Sequence, residues 1–201
     1  ASDCPAELEA ARARVAQLEK RLSALDPPVA RSAEGYGETK WGMSLREVRR
    51  AVRPGKKGEV DDGNLYVEGR AAGRDALTGY LFTDGRLTKV VVLFTERYVN
   101  KNNYLHAYSR LKRLLTKKYG EPAEDEAVWR NDLYQDDPDD YGMAVSAGHL
   151  VLFSEWSTPS TSIHLELSGE RFESRVKIFY ESEALSRAAQ AAEDREALDG
   201  L

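Results

Sequence analysis

The clearest hydrophobic pattern is a stretch of two apolar, β-rich runs at residues 76–95, ALTGYLFTDGRLTKVVVLFT. Asp84-Gly85 joins the runs, and Asp-Gly in this position is the strongest short-range signal for a β-hairpin, because a type I′ turn needs positive φ at both central residues. Residues 90–94 are apolar on both faces, which favours an inner strand over an exposed edge. The stretch predicts a hairpin around which the sheet is built.

The turn also predicts which side chains share a face of the hairpin. If Thr83 pairs with Arg86, Tyr80 lies opposite Lys89, because successive side chains of a strand point to opposite faces. The other face of the hairpin then carries Leu77, Leu81, Val90, Val92 and Phe94.

Two stretches of the body have helical spacing. Ser44 and Glu47 have the spacing of a capping box, between two hydrophobic-staple residues, and predict a short helix. Residues 98–118 carry an apolar residue every three or four positions up to Gly120, which predicts a longer helix. Its apolar stripe contains Tyr104, Tyr108, Leu111, Leu115 and Tyr119.

Short β-rich runs follow the second helix. We expect strands at residues 127–130, 143–146, 149–156, 162–167 and 172–180. The second and third of these are expected to form a hairpin that turns at Ala147-Gly148. His164 and Glu166 alternate with apolar residues, so we expect them to point outward.

The order of elements, helix, strands, helix and strands, has two similar halves. It predicts an α+β fold with a mostly antiparallel sheet and helices packed on one face, preceded by an N-terminal coiled-coil helix. The predicted boundaries are 1–26 for the coiled-coil helix, 27–39 for a linker, 40–181 for the globular domain and 182–201 for a C-terminal helix.

The N-terminal segment has apolar residues at heptad spacing. The seam that we expect to bind a partner or a second copy contains Leu8, Val15, Leu18, Leu22 and Leu25, flanked by Glu, Arg and Lys. About three heptads are marginal alone, so the seam needs a partner. The alternative is a solvated, partly frayed helix.

Composition narrows the class of protein. A formal net charge of -5 and a pI near 5.4 argue against nucleic-acid binding, which needs a concentrated basic surface. No apolar run approaches the length of a transmembrane helix. Cys4 is the only cysteine, so an internal disulfide is impossible. The first residue is Ala1, which fits a cleaved export signal, a trimmed Met or a cloning boundary, and of these we favour export.

The segment NDLYQDDPDDYG is the most unusual local feature. Hard cations bind several carboxylates at loop spacing. Asp137, Asp139 and Gly142 align with such a loop, but Tyr141 and Gly148 stand where ligands are required. Asp137 and Asp139 are therefore weak metal candidates, and a solvated loop with Asx turns accounts for the same residues.

No catalytic constellation is visible in the sequence. The three histidines, His106, His149 and His164, form no local pair at metal-ligand spacing and have no neighbouring nucleophile motif. We therefore expect a protein that is not an enzyme and has no cofactor.

Aromatic residues gather near the acidic segment. Trp129 and Phe153 are expected in the core, because aromatic residues commonly fill β-sheet cores. Tyr134 and Tyr141 fit either the core or a partner-binding surface, where aromatic residues are enriched.

Four motifs carry a resemblance to known proteins: WGMS followed by Glu47-Val48, YLFTDGRL, LTKKYGEP and DDPDDYGMAVSAGHLVLFSEW. Over about residues 36–201 the chain resembles a family of uncharacterised bacterial proteins. In the order of helix start, hairpin and Asp-Gly turn it is also similar to outer-membrane-assembly lipoproteins of the SmpA/OmlA type and to β-lactamase inhibitor protein. That resemblance implies protein binding without catalysis outside the cytoplasm. The chain departs from them in its larger second half, its acidic segment and its lack of a lipid-bearing Cys at the start, so no residue roles carry over.

The leading hypothesis is a non-enzymatic protein-binding module of the bacterial cell envelope, periplasmic or otherwise exported, with a coiled-coil association segment. One alternative is a metal-dependent hydrolase that uses the acidic segment with His149 or His164. Another is a cytoplasmic inhibitor or immunity-type protein with one cognate partner.

Overall fold

The computed structural model describes residues 35–52 and 58–188. The helices in this part are α1 (Leu45–Ala51), α2 (Asn102–Tyr119) and α3 (Tyr141–Ser146), with a 3₁₀ turn at Pro138–Asp140. The strands are β1 (Gly35–Tyr36), β2 (Thr39–Lys40), β3 (Gly58–Asp61), β4 (Asn64–Ala71), β5 (Arg74–Thr83), β6 (Arg86–Phe94), β7 (Glu124–Trp129), β8 (Leu150–Ser157), β9 (Thr161–Glu170) and β10 (Glu173–Ser182). Residues 183–188 are helical.

Strands β3 to β10 form one eight-stranded antiparallel sheet in the order β3-β4-β5-β6-β10-β9-β8-β7. Each half of the chain contributes four strands that are joined in sequence order. The last strands of the two halves, β6 and β10, lie side by side at the centre, so the strand order is symmetric about their junction. The predicted α+β fold with an antiparallel sheet is confirmed.

Helices α1, α2 and α3 pack on one face of the sheet and enclose the core there. The predicted stripe of α2 is confirmed, since Tyr104, Tyr108, Leu111 and Leu115 are buried. In β9 the inward positions are occupied by Ile163, Leu165 and Leu167, each at most 1% exposed. Both groups of side chains fill the space between α2 and the sheet.

The predicted hairpin turn is correct, but the predicted faces are wrong. Thr83 pairs with Arg86, and then a β-bulge shifts the register so that Lys89 pairs with Leu81 instead of Tyr80. Thr88 is the extra residue. A shift of one residue exchanges the faces of a strand. Val90, Val92 and Phe94 therefore share the core face with Ala76 and Tyr80, and the side chains of Leu77 and Leu81 lie on the opposite face.

Residues 143–146 were expected to form a strand and instead belong to α3. A short apolar run cannot be assigned to a helix or a strand from its periodicity alone. Gly142 allows α3 to approach the start of α2, because a Cβ at this position would lie 2.4 Å from Asn102 Oδ1. The Gly142 amide donates to that same oxygen at 2.9 Å.

The described body begins before the predicted boundary at residue 40. Tyr36 in β1 lies within the range expected to be a linker, and its ring contacts those of Tyr180 and Tyr80 at centroid distances of 4.9 and 6.4 Å. At the start of α1, the Glu47 carboxylate accepts from the Ser44 amide at 2.8 Å, as the capping box predicts. The residues predicted to form the coiled coil, and most of those predicted to form the C-terminal helix, lie outside the described residues.

A chain of hydrogen bonds that begins in the core and ends at the surface ties α2 to the second half of the sheet. Tyr108 Oη and Ser154 Oγ lie 2.6 Å apart, and Ser154 donates to Asp125 Oδ1 at 2.8 Å. Lys112 forms an ion pair with the same carboxylate. Burial raises the pKa of Tyr108 to about 12, so the phenol is neutral at all physiological pH values.

Replacing Tyr108 by Phe is expected to lower the free energy of unfolding by about 1–2 kcal/mol, because the Ser154 hydroxyl loses a partner inside the core. Urea unfolding followed by circular dichroism measures this loss. Tyr66→Phe, on the opposite face of the sheet, is the control and should cost less than about 0.5 kcal/mol. Equal costs for the two variants would contradict the role assigned to the Tyr108 hydroxyl.

Candidate functional site on the second face of the sheet

The second face of the sheet is the face opposite α1, α2 and α3. A row of directly paired residues crosses it through Tyr66, Gly79, Val91, Phe179, His164 and Glu155. All of these except Gly79 are half-buried. Gly79 leaves room for the ring of Tyr66, since a Cβ there would lie 3.2 Å from Tyr66 Cε1. We call these residues the central row.

A second row runs beside the central row. It passes through Leu77, Leu93, Lys177, Glu166 and Phe153, which pair in that order across β5, β6, β10, β9 and β8. In the two rows together, half-exposed apolar side chains lie over the first half of the sheet, over β10 and, at Phe153, over β8. Charged side chains concentrate over β8, β9 and β10.

His164 is at the centre of the charged part. Its ring stacks on that of Phe153 at a centroid distance of 5.5 Å and an interplanar angle of 23°, and it lies 5.7 Å from the ring of Phe179. Its Nδ1 is 2.8 Å from Glu155 Oε1, and its Nε2 is 3.7 Å from Glu166 Oε2. Aromatic rings thus flank His164, and a carboxylate faces each of its ring nitrogens.

The Glu166 carboxylate has two further partners. Ser168 donates to its Oε1 at 2.6 Å, and Lys177 Nζ lies 3.5 Å from the same oxygen. The side chains of Glu166 and His164 are 25% and 28% exposed, so solvent screens their interaction only in part. The side chains of Glu155, His164, Glu166, Ser168 and Lys177 thus form one connected network, which links β8, β9 and β10.

The charges of this network stabilise one another. Interaction with the Glu166 carboxylate, supported by Glu155, raises the pKa of His164 above its usual 6.5. The His164 ring, followed by Ser168 and Lys177, lowers the pKa of Glu166 to about 2. At neutral pH and below, His164 therefore carries more positive charge than an ordinary histidine.

The arrangement is better suited to binding than to proton transfer. A catalytic base needs a free lone pair within reach of a substrate, whereas both ring nitrogens of His164 face carboxylates. Half-exposed aromatic rings, held rigidly and surrounded by charges, are typical of protein interaction surfaces. Within residues 35–52 and 58–188, no group of three or more His, Cys, Asp or Glu side chains could hold a metal ion.

The structure separates the predicted metal candidates from this face. Asp137 Oδ1 accepts from the Asp139 amide at 3.1 Å, in the Asx turn that the alternative interpretation predicted. Both aspartates are exposed: Asp137 caps the 3₁₀ turn before α3, and Asp139 lies within that turn. Gly142, aligned with the sharp turn of a cation loop, lies inside α3 instead.

The two tyrosines proposed to bind a partner pack at the edge of the core. Tyr141 makes an edge-on contact with Trp129 at a centroid distance of 5.1 Å, and its hydroxyl donates to the Gln135 carbonyl at 3.1 Å. Tyr134 lies 5.5 Å from the ring of His149. Leu8, Val15, Leu18, Leu22 and Leu25, the other proposed partner-binding residues, lie outside the described residues.

The prediction that Phe153 lies in the core is wrong, because its side chain lies on the second face. It precedes Ser154 in β8, and Ser154 points inward to meet Tyr108. The outward positions of His164 and Glu166 are confirmed. Their contacts with Phe153, Glu155 and Phe179 could not be found from the sequence, since they depend on which strands are neighbours.

Replacing Glu166 by Gln is expected to lower the pKa of His164, because the largest stabilising partner of the imidazolium loses its charge. The His164 contribution to stability is complete below its unfolded pKa of about 6.5 and is lost as pH rises through the higher folded pKa. An NMR titration of the His164 ring protons measures the change. Glu170→Gln at the exposed β9–β10 turn is the control, and an unchanged pKa in Glu166→Gln would contradict the assignment.

No helix among the described residues is long and apolar enough to cross a membrane. No protein-family model, no curated protein and no solved structure matches the chain. The resemblances to bacterial families therefore stay predictions, and the function is inferred from the geometry of the second face.

Proposed function

We propose that the protein is a non-enzymatic binding module that holds a partner protein on the second face of its sheet. The observation that supports this most directly is the central row, in which half-exposed Val91, Phe179 and His164 lie side by side on adjacent strands. An antiparallel sheet that exposes one face to water normally alternates apolar and polar residues. Apolar side chains on both faces of β6 and β10 depart from that rule, and a partner would bury those of the second face.

The charges on this face favour a specific partner over general adhesion. Lys177 and His164 neutralise Glu166 and Glu155 within the network, so the stacked rings present little net charge at their centre. Glu124 and Glu126 of β7 lie beyond them at the sheet edge, opposite Glu155 and Phe153. A partner would place apolar or aromatic side chains over the rings and cationic ones over β7.

The proposal includes the N-terminal heptads as an association segment. Leu8, Val15, Leu18, Leu22 and Leu25 would form a seam with a second copy or another protein, as heptad residues do. The setting that we propose is the bacterial cell envelope, as the resemblance to outer-membrane-assembly lipoproteins implies.

A photo-crosslinking amino acid, p-benzoylphenylalanine, at Phe179 should capture the partner in cells that produce the protein. The analogue preserves an aromatic ring on the central row, so the fold is expected to tolerate it. The matched control places the same analogue at Arg113, an exposed position of α2 on the other side of the molecule. Adducts at position 179 that are absent at position 113 would support the proposal, whereas equal adducts at both positions or none at 179 would contradict it.

Replacing Leu18 and Leu22 by Glu in the full chain is expected to abolish self-association, because each carboxylate would have to enter an apolar seam. Sedimentation equilibrium gives the mass in solution. Gln17→Glu adds a negative charge outside the seam and should leave the mass unchanged. A monomeric mass for the unmodified chain would remove self-association and leave only a different protein as partner for the heptads.

A further inference from the structure

The two central strands separate at one end of their junction. Pairing between β6 and β10 ends at Leu93 and Lys177, but β10 continues along β9 as far as Glu173. Residues 173–175 therefore have β9 on one side, and no described strand pairs with their other side. After β6 the chain turns away toward α2 instead of following β10.

The opposite end of the junction is closed by the chain itself. Pairing of β6 with β10 stops there at Lys89 and Glu181. The segment before α1 continues the ladder along β6, because the Gly42 amide donates to the Leu87 carbonyl at 2.9 Å and the Leu87 amide donates to the Met43 carbonyl at 2.8 Å. These two bonds satisfy the edge of β6 that β10 does not reach.

The symmetric strand order makes the two ends comparable. The segment before α1 corresponds to the segment before α2, and the start of β6 corresponds to the start of β10. The Tyr98 amide, in the segment before α2, donates to Tyr104 Oη at 3.3 Å instead of to β10. The segment before α1 therefore pairs with the start of β6, whereas the corresponding segment before α2 does not pair with the start of β10, and that strand edge stays open.

The open position is a groove of about 590 Å³ between residues 93–99 and residues 172–175, which we call the central groove. Its volume is in the range of ligand-binding pockets. Its walls include the apolar or aromatic side chains of Leu93, Val99, Tyr98, Tyr104 and Phe172. Ser174, 7% exposed, is one of the lining residues, and its hydroxyl has no hydrogen-bond partner in the structure.

Positive charge predominates in the groove. Arg97, Lys101 and Arg175 line it. Of the two carboxylates in the lining, Glu96 is already paired with Arg74, which lies behind it and is 17% exposed. Glu173 is 3.5 Å from Arg175 in an exposed pair that solvent weakens. An occupant with a negative charge would complement this lining.

The turn at the mouth of the groove is held in an unfavourable backbone conformation. Arg171 and Phe172 both have positive φ, 51° and 64°, where a residue with a side chain is disfavoured and Gly or Asn is usual. The Phe172 amide donates to the Ser146 carbonyl at 2.8 Å, and Lys101 Nζ donates to the Phe172 carbonyl at 2.9 Å. These bonds hold Phe172, 58% exposed, beside the groove.

We propose that the central groove binds a short extended segment of a partner protein, which adds as a strand along residues 173–175 of β10. Backbone hydrogen bonds to that edge would supply affinity, as in other cases of strand addition. Successive side chains of the added strand would point to opposite faces of the sheet, so the surroundings on each face determine which residue types fit. The residue beside Arg175 points to the second face and is acidic, and its neighbour points toward Tyr98 and Tyr104 and is apolar.

The test uses the full chain labelled with ¹⁵N and the peptide acetyl-Thr-Glu-Val-Glu-Thr-amide. Amide signals of residues 93–99 and 173–175 should shift on addition of the peptide, and the amides of 173–175 should become protected from hydrogen exchange. The Lys analogue, acetyl-Thr-Lys-Val-Lys-Thr-amide, should bind more weakly. Methylation of the central peptide nitrogen should abolish binding if backbone pairing carries the affinity.

Arg175→Glu should weaken binding of the acidic peptide by about tenfold or more, since like charges would then meet in the groove. Arg113→Glu makes the same change on α2, outside the groove, and should leave the affinity unchanged. Phe179→Arg changes the central row of the second face and none of the residues that line the central groove, so it should leave the affinity for the peptide unchanged.

Three results would overturn the proposal: no shifts at residues 93–99 and 173–175 at millimolar peptide, equal binding of the methylated peptide, or equal affinity of Arg175→Glu. Shifts of the same residues that depend on protein concentration without peptide would assign the groove to a second copy of this chain. Protection of residues 173–175 without peptide, not displaced by it, would assign the groove to a segment of the same molecule. Either assignment would replace the partner segment proposed here.

Discussion

The pairing of β6 with β10 is the interaction on which the rest of the structure depends. The two halves of the sheet meet along a register of five residue pairs, from Leu93–Lys177 to Lys89–Glu181. On the core face, Val90 and Val92 meet Tyr180 and Ile178, and all four side chains are buried. Without this ladder each half would expose the edge of a four-stranded sheet, and such edges associate readily with other chains. Helix α2 packs on β10 and β9 beside the same junction, so hydrophobic burial and strand pairing stabilise one another.

The position of this junction explains why the apolar side chains on the second face are half-buried and ordered. An inner strand has neighbours on both sides, so its outward side chains are shielded by those of adjacent strands. Val91, Leu93 and Phe179 are half-buried for this reason although none of α1, α2 and α3 covers them. In the same way, His164 lies between two aromatic rings and two carboxylates. These carboxylates raise its pKa, so its positive charge persists to a higher pH than that of an ordinary histidine. A surface of this kind is ordered before any partner arrives, which reduces the entropy lost on binding.

Local signals in the sequence predicted the local structure well. The Asp84-Gly85 turn, the Ser44 and Glu47 capping pair and the apolar stripe of α2 each depend on residues a few positions apart. The β-bulge at Thr88 and the helical conformation of α3 could not be predicted, because both depend on tertiary packing. The bulge turns Tyr80 and Val90 toward the core, and Gly142 lets α3 approach Asn102. The candidate site could be predicted only in part, since the outward direction of His164 and Glu166 follows from alternation but their partners follow from strand order.

Both proposed binding surfaces depend on the junction of β6 and β10, and the way the two halves meet there also explains the open strand edge of the central groove. Two antiparallel halves that meet through their last strands leave an unpaired strand edge at each end of the junction unless another segment follows the strands. At the end beside α1, Gly42 and Met43 do so, and the ladder is complete. At the end beside α2, the chain instead uses residues 95–101 to reach a longer helix, and the aromatic contact between Tyr98 and Tyr104, at a centroid distance of 4.8 Å, holds that segment away from β10. The longer helix closes the core of the second half, and the open strand edge is the structural consequence.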